Sequence, residues 1–156
     1  MQFPDAKLLI FARAPVEGQV KTRLASVIGT ASACRLHEQL LTKTFKTLLE
    51  AKLAPVSCYT TDVRHPFFDQ WKTAGVTFFQ QRGADLGERM MHAISGELET
   101  ASAVLLLGSD CPVIEGKHLQ QACAVLDSGH DAVIAPAEDG GYVLIGLKKM
   151  YPEIFQ

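Results

Sequence analysis

The sequence lacks every pattern that would place it quickly. Its four cysteines, Cys34, Cys58, Cys111 and Cys123, are scattered with no C-x-x-C pair. That argues against a zinc site and against a disulfide framework, and it fits a reduced, cytoplasmic thiol set. Cys111 lacks a nearby histidine in sequence, which disfavours it as a nucleophile. The five histidines show no H-E-x-x-H spacing, so surface or packing roles are expected for them. No apolar run is long enough to cross a bilayer, and the N-terminus does not read as a signal peptide. The formal net charge is −2, from 15 Lys and Arg against 17 Asp and Glu. No bulk attraction to nucleic acid or to an anionic membrane is expected from that balance. Two nucleotide signatures are absent as well. A Walker loop needs Gly immediately before Lys21-Thr22 and another five residues earlier, where Val20 and Pro15 stand. No G-x-G-x-x-G occurs.

What is present is an alternation of strand and helix patterns with no internal repeat or linker, which reads as one domain over 1–156. Leu8 to Ala12 is an apolar first strand. Ala33, Leu36, Leu40, Leu41, Thr44, Phe45 and Leu48 recur at helical spacing within 30–53. Strands are expected at 56–61, 76–80, 103–107, 132–135 and 142–147. Further helices are expected at 65–74, 85–99 and 114–126. This order implies an α/β fold, a doubly wound and mostly parallel sheet with helices on both faces. The connection between the last two strands is too short for a helical crossover, so the last strand is expected to be antiparallel.

Asp110 is the most informative residue. It follows a run, Ala103 to Leu107, that reads as a strand buried on both faces, and Pro112 prevents the strand from continuing. Open α/β sheets bind ligands beyond the carboxyl ends of their strands. A carboxylate there suits a hard cation such as Mg²⁺, although a turn or helix-capping aspartate would have the same local sequence.

The first strand runs into a loop that holds Arg13, Gly18, Lys21 and Arg23. Glycine permits close backbone approach. Lysine offers a phosphate a point charge and arginine a bidentate fork. Gln80 to Met90, with Gly87 and Arg89, opens a helix after a strand, where exposed N–H groups favour anions; a helix cap by Asp85 is the competing reading. Asp139-Gly140-Gly141-Tyr142 reads either as a tight turn or as a surface with room for a sugar or base and a second carboxylate.

Taken together, Phe11-Ala12-Arg13-Ala14-Pro15-x-x-Gly18-x-Val20-Lys21-Thr22-Arg23-Leu24, Gly87-Glu88-Arg89-Met90, Gly108-Ser109-Asp110-Cys111-Pro112 and Asp139-Gly140-Gly141-Tyr142-x-Leu144-Ile145-Gly146-Leu147 resemble the DUF2064 group of GT-A-type glycosyltransferases. That group is similar to the MobA-like and phospholactate guanylyltransferase-like nucleotidyltransferases. The resemblance implies a nucleotide-diphospho-sugar transferase fold. It implies that Arg13, Gly18, Lys21 and Arg23, with Gly87 and Arg89, hold nucleotide phosphates. Asp110 then stands at the D-x-D metal position, although Ser109-Asp110-Cys111 supplies one carboxylate there and not two.

The expected activity is therefore metal-dependent transfer from a nucleotide or nucleotide-sugar donor to a small-molecule acceptor. Mg²⁺ or Mn²⁺ is expected as cofactor. Asp110 and Asp139 are the candidate catalytic residues, and Gly140, Gly141 and Tyr142 the candidates for the acceptor or sugar side. Glycosyl transfer leads. Nucleotidyl transfer with pyrophosphate release, or a non-catalytic nucleotide-binding module, are the alternatives.

Members of the group continue past the last strand, whereas only Lys148 to Gln156 follow Leu147 here. An apolar strand of this kind needs cover on both faces, and Pro152 interrupts the residues that remain. The expectation is a second copy packed on that face as a homodimer, or a shortened form of a longer protein.

Overall fold

The computed structural model describes residues 1–156. Its elements run β1 (Ala6–Ala12), α1 (Thr22–Ile28), α2 (Thr30–Ala51), β2 (Val56–Thr60), α3 (Asp69–Thr73), β3 (Thr77–Gln80), α4 (Leu86–Leu98), β4 (Ala103–Gly108), α5 (Gly116–Asp127), β5 (Ala132–Pro136) and β6 (Tyr142–Leu147). Single 3₁₀ turns sit at Pro66–Phe68 and Pro152–Phe155. The alternating pattern and the mostly parallel sheet are those expected from the sequence.

The sheet order is β3-β2-β1-β4-β6-β5. β1 pairs in parallel with both β2 and β4, and β2 with β3. β6 runs antiparallel between β4 and β5, as the short β5–β6 connection demands. The order reverses between β1 and β4. That reversal opens a crevice beyond their carboxyl ends, the usual ligand position in such sheets.

Both faces of the central strands are covered, which explains their continuous apolar runs. On one face Leu8 and Ile10 of β1 join Leu105 and Leu107 of β4 beneath Phe45 of α2 and Leu119 of α5. On the other, Leu9, Val104 and Leu106 meet Met90, Ala93 and Ile94 of α4.

Two expectations change. The basic loop ends earlier than predicted, because α1 begins at Thr22. None of its residues is buried, so it leaves no apolar periodicity to read. The second change concerns β6, which needs no second copy to cover it. Ile145 and Leu147 are 0% exposed, and Met150, Tyr151, Ile154 and Phe155 from the C-terminal turn pack against that face. The expectation considered only a long helix as cover. The segment from Met150 to Phe155, with the rings of Tyr151 and Phe155, supplies the cover beside α4.

Candidate functional site

A cleft of about 980 Å³ opens beyond β1 and β4 at the order reversal. Its floor includes Gly108 and Ser109 at the end of β4. Its walls carry Arg13, Lys21 and Arg23 from the segment after β1, and Arg89 from α4. Four basic side chains and the carboxylates of Asp110 and Asp85 therefore share one space.

The first wall is held by α2. His37 is 5% exposed, and its Nε2 lies 2.8 Å from the Arg13 carbonyl oxygen. One helical turn earlier, Cys34 Sγ donates to the Pro15 carbonyl at 3.3 Å. At the start of the helix, Thr30 Oγ1 donates to Glu17 Oε1 at 2.8 Å. Positions 30, 34 and 37 fall on one stripe of α2. They engage residues 17, 15 and 13, every second residue of the loop, and so tie it to α2. From the opposite side Thr61 Oγ1 accepts the Ala14 N–H at 3.0 Å.

Lys21 ends this loop as the N-cap of α1, with φ 52° and ψ 43°. That left-handed conformation costs a non-glycine residue roughly 1–2 kcal/mol. Its ammonium lies 2.7 Å from Asp110 Oδ1, so an ion pair bridges the two sides of the cleft, from the β1 loop to the end of β4.

The α4 wall is built by the loop before it. Gly83, at φ 142°, has Arg89 N only 2.8 Å from where a Cβ would stand. This close approach lets Arg89 Nε donate to the Gly83 carbonyl at 3.1 Å. Asp85 caps α4, its Oδ1 accepting the Glu88 N–H at 2.9 Å, while Glu88 Oε2 accepts the Ala84 N–H at 2.7 Å. The capping reading of Asp85 is the observed one, although the residue also borders the cleft.

Of the residues singled out from sequence, Arg13, Lys21, Arg23, Arg89, Asp110 and Tyr142 line the cleft. Burial pushes the Tyr142 phenol above its usual range. Gly18, Gly87, Asp139, Gly140 and Gly141 are not among the lining residues. Gly18 has a left-handed φ of 86° with open space around it. Gly87 faces the C-terminal turn, where an added Cβ would collide with the Phe155 carbonyl. Asp139 folds back on its own turn, Oδ1 accepting the Gly141 N–H at 3.0 Å, and Gly140 takes the left-handed position of that turn. His37, Thr61 and Ser109 border the site and were not predicted. The i, i+3 and i+7 spacing of His37 with Cys34 and Thr30 was the available signal, and it needed the loop's position to be legible.

No group of three His, Cys, Asp or Glu side chains could cage a metal. The donor set present is one carboxylate, Asp110, 70% exposed as a side chain. That fits Mg²⁺ or Mn²⁺ held mainly by water and phosphate oxygens, since Mg²⁺ commonly takes only one or two protein carboxylates. It does not fit a resident metal independent of substrate. No helix is long and apolar enough to cross a membrane.

A family model described as "Uncharacterized protein conserved in bacteria (DUF2064)" matches residues 44–156. A crystal structure from Desulfovibrio desulfuricans G20, provisionally described as a nucleotide-diphospho-sugar transferase, superposes with a TM-score of 0.86 at 32% identity. The match covers 98% of this chain and 68% of that one. A cytidylyltransferase from Leptospira borgpetersenii gives a TM-score of 0.59 at 17% identity, over 97% of this chain and 62% of the other. A CMP:2-keto-3-deoxy-manno-octonic acid synthetase complexed with CTP gives 0.57 at 12% identity, over 97% and 76%. These last two likenesses show the fold. No curated protein sequence matches the chain.

Proposed function

The chain belongs to the DUF2064 family, and from that premise we propose that it is a transferase acting on a nucleotide or nucleotide-sugar donor, with glycosyl transfer as the leading reaction. One observation carries the reading: four basic side chains, Arg13, Lys21, Arg23 and Arg89, line a cleft at the sheet's order reversal, opposite Asp110. The relative from Desulfovibrio, described as a nucleotide-diphospho-sugar transferase, supports it.

In this reading Lys21 and Arg23 take the donor phosphates, with Arg13 and Arg89 on the same rim. Charge builds on a diphosphate as it leaves, or on a phosphoryl group under attack. Cations already gathered around the cleft stabilise that charge. No protein nucleophile is required. Asp110 would hold Mg²⁺ or Mn²⁺ together with donor phosphate oxygens, and the cation would supply further neutralisation of the diphosphate. Tyr142 borders the cleft on the β6 side, where the acceptor or sugar is expected. Nucleotidyl transfer uses the same electrostatics and is the second reading, supported by the cytidylyltransferase-like fold.

A turnover panel tests this. UDP-, GDP- and dTDP-sugars are incubated with Mg²⁺ and candidate acceptors, and nucleoside diphosphate release is measured. Nucleoside triphosphates are assayed in parallel for pyrophosphate release. Sugar-nucleotide turnover is the expected result. Pyrophosphate release alone would move the assignment to nucleotidyl transfer. Binding without either turnover would overturn the transferase reading.

A further inference from the structure

We propose that Asp110 holds Lys21 in reserve, so that the donor diphosphate gains full use of Lys21 only when Asp110 takes a divalent cation. The inference rests on the transferase reading above and adds a coupling rule to the same site.

The geometry is specific. Lys21 Nζ lies 2.7 Å from Asp110 Oδ1, across 89 residues of sequence. The lysine side chain is only 22% exposed, against 70% for its partner. The ammonium is thus the more confined member, and the carboxylate keeps its second oxygen open. Lys21 is also fixed at its backbone, in a left-handed conformation between the β1 loop and α1. The other carboxylate bordering the cleft, Asp85, is occupied in capping α4. Asp110 is the carboxylate that decides what Lys21 presents.

A diphosphate arriving without metal meets a neutral pair. The carboxylate cancels the ammonium's charge and itself repels the incoming anion. Once Asp110 takes a cation, that repulsion disappears and Lys21 is free to bind phosphate. Asp110 therefore opposes donor binding in the absence of metal and favours it in its presence. A single residue with both signs of effect makes the site selective for a metal-complexed donor.

The test is a double-mutant cycle on inorganic pyrophosphate binding, by calorimetry, in EDTA and in Mg²⁺. The four proteins are wild type, Asp110→Asn, Lys21→Met and the double variant. Circular dichroism confirms folding, and Lys21→Gln repeats the lysine arm. Exposed ion pairs set the upper end of the scale at a factor of about five. In EDTA, Asp110→Asn is expected to bind pyrophosphate about fivefold more tightly than wild type. In the Lys21→Met background the same change should gain less than about twofold. In Mg²⁺ the sign should reverse, and Asp110→Asn should bind more weakly. Three results would each overturn the inference: no tightening in EDTA, an equal gain with and without Lys21, or no pyrophosphate binding by any variant. The turnover panel reports on the transferase reading separately, so the two can fail independently.

Discussion

The imidazole of His37 reaches the carbonyl oxygen of Arg13 across 2.8 Å, from the middle of a helix to the first residue beyond a strand. The imidazole is buried, so on its side the bond has no ready substitute. His37→Leu should leave that carbonyl without its partner, at a cost of about 1–3 kcal/mol. The denaturation midpoint should fall accordingly. Pyrophosphate affinity should fall further than stability alone explains, because the loop bearing Arg13 and Lys21 loosens. His37→Gln, which keeps a donor, should recover part of both. Equal pyrophosphate affinity in His37→Leu and wild type would show that the bond only packs the core.

Lys21 separates stability from binding. Lys21→Gly relieves a left-handed backbone that favours glycine while removing the ammonium. The melting temperature should hold or rise, and nucleoside diphosphate affinity in Mg²⁺ should drop about tenfold, the value of one charged hydrogen bond. A nucleoside without phosphates should bind the two proteins equally. Parallel loss for both ligands would make the residue structural.

These residues also show what the sequence could and could not reveal. The strand–helix alternation, the buried β4 and the position of Asp110 were legible, because apolar period and a stop at Gly108 and Pro112 are local signals. The cationic cluster was legible as composition after β1. Its pairing was not, since Lys21 and Asp110 are 89 residues apart and only the sheet order brings them together. Asp139 offered the same cue as Asp110, a carboxylate beside glycines, and proved to serve its own turn. Local sequence does not distinguish an aspartate that borders a cleft from one that accepts a backbone N–H two residues on.

Gly87→Ala tests the contact with the C-terminal turn. The new Cβ would meet the Phe155 carbonyl, a backbone atom that cannot rotate away. The turn must shift and uncover Ile145 and Leu147. Overpacking of this kind costs roughly 1–3 kcal/mol. A lowered denaturation midpoint and new binding of a hydrophobic dye are the expected readings; an unchanged midpoint would show that the turn moves freely.

Tyr59 sets an alkaline limit. Its hydroxyl donates to Glu97 Oε1 at 3.1 Å. Burial, then the Glu97 charge and this hydrogen bond, push the phenol well above its usual range. A pKa raised by folding gives stability that is complete below the unfolded value, about 10 for tyrosine, and lost as pH rises beyond it. Stability should therefore fall above about pH 10. Tyr59→Phe should be less stable at neutral pH, by about 1–3 kcal/mol for the unpaired Glu97, and should lose less on going to pH 11. Parallel pH curves for the two proteins would assign the alkaline loss to other groups.

The cleft has one firm jaw and one compliant one. Asp110 follows β4, whose residues from Ala103 to Leu107 are all buried. Arg23 rides on α1, a helix with no buried residue, resting mainly against α2. Elements with so little buried apolar contact open first. Amide hydrogens of α1 should exchange with solvent long before those of β4, and a bound donor touching Arg23 would slow the former while leaving the latter untouched. Adaptation to donors of different size would then fall to α1, with the carboxylate as the fixed reference point.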